Sequence, residues 1–555
     1  MKVLLSRNTT RNGALYLRTF SGHGHHQRTR NFTQKYGGIA LLLFSVGSFK
    51  FCQVQEQSPS IMDENSVNGY SFCAAGSAEE SKGEKKERVL KMFGSMLNSD
   101  QIETDPDELE RRSKPWNSYH SSSQLPFCIL SPESTEDVSK IMQICHRESI
   151  PVVPFGGGTS LEGHTLSIGS DCMDPISIDF SNMSNILSFN KDDLDIRVQA
   201  GLGYIALNDY LREYSLWFPL DPGPGASVGG MCACRCSGST AVRYGSMREN
   251  VLNITAVLAD GTIVNTGSRA RKSSAGYDLT RLLVGSEGTL AVITEVTLKL
   301  HIIPSFKYAM KIPFSTMEGA TACARDTLKC GVTVGRCELL DENMIKIMNQ
   351  TTPDLKWNEK TTLLYEITGL SHSSVEEQME VVRQIAIKNG AFGQISILTD
   401  PDQCDALWKQ RKECLWSAMA CYPDKEPMIT DTAVPLTRLP EMMTRTRELL
   451  DSAQNKYPSP IIAHAGDGNS HVLLFFDPKN PSEVQEVKQL AHKLASMAIE
   501  MDGTCTGEHG IGVGKKALLK KEMGEGSMQM MTRIKSVMDP QNILNPDKIL
   551  DRNVK

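Results

Sequence analysis

The sequence predicts an α+β protein that contains at least two domains. Its 555 residues are too many for a single hydrophobic core, because such cores stop growing at about 250–300 residues. The first half alternates short apolar strands with glycine-rich loops, whereas the part beyond Pro304 alternates long helical patterns with strands. This change predicts a loop-rich domain followed by a second domain of mixed helices and strands.

The N-terminal residues differ from the rest of the chain. Residues 1–50 hold eight Lys and Arg residues and no Asp or Glu. An Arg-rich, acid-free leader is typical of a mitochondrial presequence, predicted here over 1–52, and a disordered basic tail is the alternative. The apolar run 37–46 is shorter than the ~20 residues of a membrane-spanning helix, so we expect no more than weak inner-membrane association. Residues 53–88 are predicted to be a polar linker.

Charge argues against a nucleic-acid partner, and the cysteine pattern argues against a metal site built from cysteines. The formal net charge is −6, and the body of the chain has no dense basic stripe, which argues against nucleic acid. Fifteen scattered cysteines include no C-x-x-C pair, so they predict reduced structural thiols rather than a zinc or cluster site.

Hydrophobic patterns place the elements of the first half. Ser134 and Asp137 resemble a capping box, and Val138, Ile141 and Cys145 follow at helical spacing. A second helix is predicted around Leu207. The predicted strands are 151–155, 176–180, 196–200, 254–258, 261–264 and 290–300.

The second half carries longer elements. Ser482 is predicted to cap the last long helix with Gln485, and the helix is expected to end at Asp502-Gly503. The predicted helices are 316–330, 374–389, 435–454 and 482–501, and the predicted strands are 333–340, 361–368, 392–398, 461–464 and 471–476.

Four glycine-rich loops point to a large anionic ligand. Residues 156–160 follow a predicted strand directly, and glycine lets backbone N–H groups approach a phosphate. This segment matches neither a Walker loop nor a Rossmann fingerprint, and alone it could be an ordinary loop. Further Gly/Ser/Thr-rich loops at 223–230, 237–245 and 285–289 favour one dinucleotide lying across all four.

Two histidines bracket a turn and predict a metal site. Asp467-Gly468 is a strong signal for a type I′ hairpin, which would set His464 directly opposite His471 on one face with Cβ atoms ~5 Å apart. That spacing suits two ligands of one ion. Glu508 and His509, in a glycine-rich loop, offer a carboxylate and a further imidazole. Taken singly, each histidine is more commonly a packed or surface residue.

Several segments of the chain are specific in combination. They are 154–163 (PFGGGTSLEG), 217–223 (WFPLDPG), 241–245 (AVRYG), 276–279 (GYDL), 283–290 (LVGSEGTL), His464 with His471, and 507–510 (GEHG). Together they resemble the vanillyl-alcohol-oxidase/PCMH-type FAD enzymes, and within that family the mitochondrial D-lactate dehydrogenases. The similarity covers residues 120–550, nearly everything after the linker.

The resemblance implies a two-domain PCMH-type fold. It implies an FAD-binding domain at 89–303, an α+β cap domain with an antiparallel sheet at 304–503, and a C-terminal segment, 504–555, that returns to the FAD domain. His164 matches no known attachment position, so non-covalent FAD is expected. The implied FAD contacts are Pro154, Phe155, Gly156, Gly157, Gly158, Thr159, Ser160, Gly163, Pro222, Gly223, Gly230, Ser237, Gly238, Tyr244, Gly245, Glu287, Gly288, Ile293 and Asn545.

The resemblance also implies a reaction. His464, His471 and Glu508 match ligands of a divalent ion (Zn²⁺ or Mn²⁺), His509 matches the base that takes the hydroxyl proton, and Arg411 matches the carboxylate-binding arginine. The implied activity is the oxidation of D-lactate to pyruvate in the mitochondrion. The absence of a NAD fingerprint argues against nicotinamide as the acceptor, and the resemblance implies cytochrome c or another respiratory carrier.

Two alternatives stay open at this point. A D-2-hydroxyglutarate dehydrogenase would need groups for a second carboxylate, and Lys409, Lys412 and Thr430 lie nearby in the sequence. A metal-binding scaffold without flavin chemistry would give a colourless protein.

Overall fold

The computed structural model describes residues 80–552 except 114–117, 123, 170–172, 353–354 and 453–455. The predicted presequence, the apolar run 37–46 and residues 53–79 of the predicted linker lie outside the described residues. The end of the predicted linker is helical instead, because helix Lys82–Gly94 begins within it. Within the described part, no helix combines the length and the apolar character that a membrane crossing requires.

The first half of the described chain forms two larger sheets. Helix Thr135–Glu148 begins at Ser134, whose side chain accepts the N–H of Asp137, as the sequence predicts. In spatial order, one sheet contains Ile102–Glu103, Ile129–Leu130, Ile176–Asp179 and Val152–Phe155, with parallel pairing among the last three. The other is antiparallel and contains Ile186–Asn190, Asp195–Gln199, Val292–Lys299, Val251–Val257 and Ile263–Asn265.

Short helices connect these strands. A two-stranded ribbon also pairs Leu216–Trp217 with His301–Ile302. The helices of this half, besides Thr135–Glu148, are Lys82–Gly94, Pro106–Ser113, Tyr204–Arg212, Val228–Cys234, Ala241–Tyr244, Met247–Asn250 and Leu279–Leu283, with a 3₁₀ turn at Ser99–Gln101.

The second half forms one antiparallel sheet covered by helices. Its strands, in spatial order, are Ser396–Leu398, Phe306–Pro313, Thr362–Gly369, Val334–Leu340, Ile461–His464, Asn469–Phe476 and Glu426–Ile429, and Thr432–Ala433 pairs with Asn469–Phe476. The helices are Met317–Lys329, Glu342–Thr351, His372–Lys388, Pro401–Lys412, Cys414–Cys421, Leu439–Ser452, Pro481–Glu500 and Lys516–Met538.

Two local predictions were wrong. The helix Pro481–Glu500 is capped by Asn480, whose side chain accepts the N–H groups of Ser482 and Glu483, so Ser482 is not the cap. The predicted hairpin register is also wrong, because His464 pairs with Asn469, and His471 pairs with Ile462.

The hairpin register differs because the turn is longer than predicted. Four residues, 465–468, separate the paired strands. Of Asp467 and Gly468, the two residues predicted at the centre of the turn, only Gly468 has a positive φ, so the turn is not type I′. The shift changes the pairing by two residues, and a shift of two keeps every side chain on its original face. The rings of His464 and His471 therefore still meet, with centroids 5.3 Å apart.

The C-terminal residues contact strands of the first half. Leu544 forms a parallel bridge with Val152, and the Asn545 N–H donates to the Val152 carbonyl at 2.8 Å. Asn545 Nδ2 donates to the carbonyls of Glu287 (2.7 Å) and His164 (3.1 Å). These bonds bring Asn545 to the edge of the glycine-rich loops.

Candidate active site

A cavity of about 380 Å³ lies where the glycine-rich loops meet the eight-stranded sheet. It has the size of a small-molecule site. The residues of the predicted site that line it are Pro154, Gly156, Gly157, Gly158, Thr159, Ser160, Pro222, Gly223, Gly230, Gly238, Glu287, Gly288, Ile293, Arg411, His464, His471, Glu508, His509 and Asn545.

The glycine-rich loop 156–160, called the glycine cradle below, leaves no room for side chains at its first two glycines. A Cβ on Gly156 would lie 2.2 Å from Ser227 Oγ, and a Cβ on Gly157 would lie 2.0 Å from the Gly225 carbonyl oxygen. Backbone N–H groups at such positions can approach a diphosphate closely.

Buried polar atoms around the same cavity lack partners among the described residues. They include the hydroxyl oxygens of Ser160, Thr165 and Ser227 and the Oδ1 atom of Asn545. All four residues line the cavity. Because an unsatisfied buried polar atom is costly, these atoms fit a ligand rich in hydroxyl, amide and phosphate groups.

Five of the predicted FAD contacts do not line the cavity. Phe155 packs under Gly158, and its ring lies 4.4 Å from the guanidinium carbon of Arg112. Tyr244 packs edge-on against Trp217 and His301. The remaining three are Gly163, Ser237 and Gly245.

Three ligand atoms converge at one end of the cavity. Glu508 Oε1 lies 3.1 Å from His464 Nε2 and 3.3 Å from His471 Nε2. Ser237 Oγ donates to Glu508 Oε2 at 2.7 Å. The Nδ1 atom of each histidine has its own hydrogen-bond partner. His464 Nδ1 lies 2.8 Å from Glu338 Oε1, and His471 Nδ1 lies 3.0 Å from the Thr430 carbonyl oxygen. Such partners orient imidazoles whose other nitrogen binds a metal.

The charges in this cluster are strongly coupled. Burial alone would lower the pKa of His464, but Glu338 and Glu508 outweigh it and raise that pKa well above the usual value. Burial would raise the pKa of Glu508, yet the two histidines hold it well below its usual range. Burial lowers the pKa of His509 despite the nearby Asp431, which favours the neutral imidazole.

Arg411 and His509 contact different members of the cluster and its partners. Helix Pro401–Lys412 presents Arg411, whose Nη2 donates to Glu338 Oε2 at 2.5 Å, while its buried Nε has no partner among the described residues. The His509 ring stacks on that of His471, with centroids 5.0 Å apart and planes at 18°. The site thus combines a cation, a neutral imidazole and three convergent ligand atoms.

Two functional residues were missed by the sequence analysis. Glu338 bridges His464 and Arg411, and Asp431 contacts the loop of Glu508 and His509. The sequence could have pointed to Glu338, because it is a carboxylate in a segment, 333–340, that was predicted to be a strand. In the structure it is buried within strand Val334–Leu340. Asp431 lies in a short connection between strands and carried no periodic signal.

Comparison with family models identifies the two halves of the chain. Residues 126–267 match the model described as "FAD binding domain". Residues 303–549 match the model "FAD linked oxidases, C-terminal domain". The chain is therefore an FAD flavoprotein, as predicted.

Solved structures share its fold. A 4-ethylphenol oxidase from Gulosibacter chungangensis superposes with a TM-score of 0.70 at 16% identity, covering 86% of this chain and 99% of that one. A p-cresol methylhydroxylase gives a TM-score of 0.69 at 15% identity with the same coverage of both chains. These likenesses confirm the predicted α+β, PCMH-type fold.

Curated relatives match over most of the chain. The mitochondrial "D-lactate dehydrogenase [cytochrome]" of Arabidopsis thaliana is 42% identical, covering 92% of this chain and 90% of its own. The corresponding Saccharomyces cerevisiae protein is 44% identical, covering 78% and 74%. A "probable D-lactate dehydrogenase, mitochondrial" of Danio rerio is 39% identical, covering 86% and 95%. The chain therefore belongs to the family of FAD-dependent oxidoreductases that contains the mitochondrial D-lactate dehydrogenases.

Proposed function

We propose that this protein oxidises D-lactate to pyruvate with FAD as the first acceptor and passes the electrons to cytochrome c. The observation that carries the proposal is the convergence of His464, His471 and Glu508 in the same cavity as the glycine cradle. The names of the relatives support D-lactate as the substrate, and two of them support a cytochrome as the acceptor.

A divalent ion, Zn²⁺ or Mn²⁺, is proposed at His464, His471 and Glu508. Two imidazoles and a carboxylate suit either ion and leave coordination positions open for substrate. Asp431, His471 and His509 form a second group of suitable spacing. That group is disfavoured because His471 Nδ1 is already occupied by the Thr430 carbonyl at 3.0 Å. When bound, FAD accepts a hydride at N5, and the metal ion polarises the substrate hydroxyl.

The side chains of the chain then have separate tasks. Arg411 donates to the carboxylate of the 2-hydroxy acid through its planar guanidinium, which Glu338 holds in place. His509, neutral because burial lowers its pKa, takes the hydroxyl proton. FAD is held without a covalent bond by the glycine cradle and the unpartnered hydroxyls.

The cavity favours a monocarboxylate over a dicarboxylate. Its wall includes the apolar side chains of Leu415, Ile429 and Leu473. Of the groups that could bind a second carboxylate, Lys412 lines the cavity but is paired with Asp221 at 3.0 Å. Neither Lys409 nor Thr430 lines it. D-lactate is thus preferred to D-2-hydroxyglutarate.

The division of the chain and its location are proposed with the function. Residues 89–303 and 504–555 form the FAD domain, which the contacts of Leu544 and Asn545 support, and 304–503 form the cap. The names of the relatives and the acid-free leader support a mitochondrial location.

Anaerobic flavin reduction tests the proposal. The purified protein should be yellow, D-lactate should bleach it, and L-lactate should not. Bleaching that is faster with D-2-hydroxyglutarate than with D-lactate would overturn the substrate, and a colourless protein would overturn flavin chemistry.

Replacing Arg411 by lysine should raise the KM for D-lactate about 10–100-fold with little change in kcat. A guanidinium donates two parallel N–H bonds to a carboxylate, whereas an ammonium is a single point charge, and a charged hydrogen bond contributes ~1.5–3 kcal/mol. Steady-state kinetics measure the effect, with Arg383→Lys, an exposed pair with Glu380, as the matched control. A fall in kcat at unchanged KM would contradict the role given to Arg411.

Gly157→Ala should weaken FAD binding about tenfold or more. The added Cβ would lie 2.0 Å from the Gly225 oxygen, where ordinary contact begins at 3.4 Å, and overpacking of this kind costs ~1–3 kcal/mol. The ratio of flavin to protein after gel filtration measures it. Gly203→Ala is the control, since its Cβ would meet nothing closer than 4.0 Å. Equal flavin content in both variants would rule out a tight cradle at Gly157.

A further inference from the structure

The loop that carries Glu508 and His509 has no regular secondary structure and is rich in glycine. Such a loop holds a fixed geometry only when its backbone is bonded elsewhere. From the glycine-rich loop 285–289, Glu287 accepts the N–H of Ile511 at 2.7 Å and that of Gly512 at 2.8 Å. These bonds fix the segment that follows His509.

Asp431 fixes the segment that contains Glu508 and His509. Its Oδ2 atom accepts the backbone N–H groups of both residues at 2.8 Å. The Thr506 hydroxyl oxygen lies 2.8 Å from the same Oδ2 and 2.9 Å from the Gly510 carbonyl oxygen, so its one proton serves one of the two acceptors at a time. Asp431 Oδ1 accepts from Asn469 Nδ2 at 2.8 Å. The donors to Asp431 therefore crowd around Oδ2, which the two backbone N–H groups already occupy.

The two backbone N–H groups on Oδ2 favour a role for Asp431 in holding the loop rather than in binding the metal ion. Asp431 is also almost fully buried, at 1% exposure. Among Lys and Arg side chains, the one paired with it is Lys515, whose Nζ lies 4.0 Å from Asp431 Oδ2 and 3.0 Å from Glu162 Oε1. Burying a carboxylate costs free energy unless hydrogen bonds or cations stabilise its charge. The bonds from the loop supply that stabilisation for Asp431.

The His509 ring also faces Asp431. His509 Nδ1 lies 3.8 Å from Asp431 Oδ2 and has no hydrogen-bond partner among the described residues. A carboxylate on that side favours the tautomer with hydrogen on Nδ1, which leaves Nε2 as the free base. The Asp431 carboxylate therefore fixes the backbone of Glu508, the proposed metal ligand, and also faces the ring of His509, the proposed base.

We propose that Asp431 is a positioning residue that holds Glu508 for metal binding and His509 for proton removal. This inference rests on the proposed function. Asp431→Asn is the variant of choice because it keeps the shape and removes one acceptor. Whichever way the amide turns, an NH₂ group faces either the loop N–H groups or Asn469 Nδ2.

Two properties of Asp431→Asn should change and one should not. Calorimetric titration of the metal-free protein with Mn²⁺ should give affinity about 10–100-fold below wild type, the usual cost of losing a partner that orients a metal ligand. Flavin reduction at saturating Mn²⁺ should remain at least tenfold slower than in wild type, because the His509 ring is still misplaced when the metal site is full. The KM for D-lactate should stay within about twofold, because Arg411 is untouched.

Matched variants separate positioning from general damage. Asp341→Asn alters another buried carboxylate, one that caps a helix by accepting the Met344 N–H, and should leave Mn²⁺ affinity and flavin reduction unchanged. Thr506→Val removes one donor to Asp431 and should shift both properties in the same direction by a smaller factor. Wild-type affinity and rate in Asp431→Asn overturn the inference. If that variant does not fold, unchanged values in Thr506→Val overturn it.

Failure of the proposed function would look different. Wild-type protein that D-lactate does not bleach would refute the activity, while the Mn²⁺ titrations would still report whether Asp431 organises the ligand set.

Discussion

The variant His471→Ala is expected to lose its divalent ion. Its flavin should be reduced by D-lactate about 10²–10³-fold more slowly than that of the wild type. His471 Nε2 is one of three atoms that converge at the cavity end. A Lewis acid supplies several kcal/mol of charge stabilisation, and each 1.36 kcal/mol corresponds to a factor of ten in rate. Metal analysis and anaerobic stopped-flow absorbance measure the two effects.

The control for this prediction is His492→Ala, which makes the same substitution at an exposed position on helix Pro481–Glu500. It should retain metal and rate. If His471→Ala bound Mn²⁺ as tightly as wild type, His471 would have to be removed from the ligand set.

His509→Gln is expected to slow flavin reduction about 10²–10⁴-fold while metal and FAD content stay at wild-type values. Glutamine fills much of the imidazole volume but cannot take a proton, and a positioned general base contributes a factor of this size. His509 is distinct from the ligand set, because His464, His471 and Glu508 converge without it.

The contrast between the two variants is the sharper result. His471→Ala should lose metal and rate together, whereas His509→Gln should lose rate alone. Loss of metal from His509→Gln would show that the ring is a ligand, and would favour the alternative group of Asp431, His471 and His509.

Local patterns in the sequence predicted most of the fold. The Ser134 cap and the strand before the glycine cradle lie where they were expected. Strand Phe306–Pro313 was not predicted, because much of it is buried on both faces and shows no period-two alternation. Helix Pro401–Lys412 was missed although Asp400 caps it and Pro401 occupies its first turn.

The site was predictable only in part. His464 and His471 share a face in any register shifted by an even number of residues, so their meeting survived the wrong turn type. The partners of the site could not be predicted in this way. Glu338 and Asp431 reach it from strands or loops more than 30 residues away in the sequence, and local periodicity holds no information about such contacts.

Metal removal and restoration test the central claim most directly, namely that a cation held by His464, His471 and Glu508 acts on the substrate beside the flavin. The yellow protein is stripped with a chelator, and its anaerobic bleaching by D-lactate is followed before and after addition of Mn²⁺ or Zn²⁺. We expect bleaching to fall at least a hundredfold on stripping, with flavin retained, and to return with the ion. Undiminished bleaching of a metal-free, flavin-loaded protein would contradict the account.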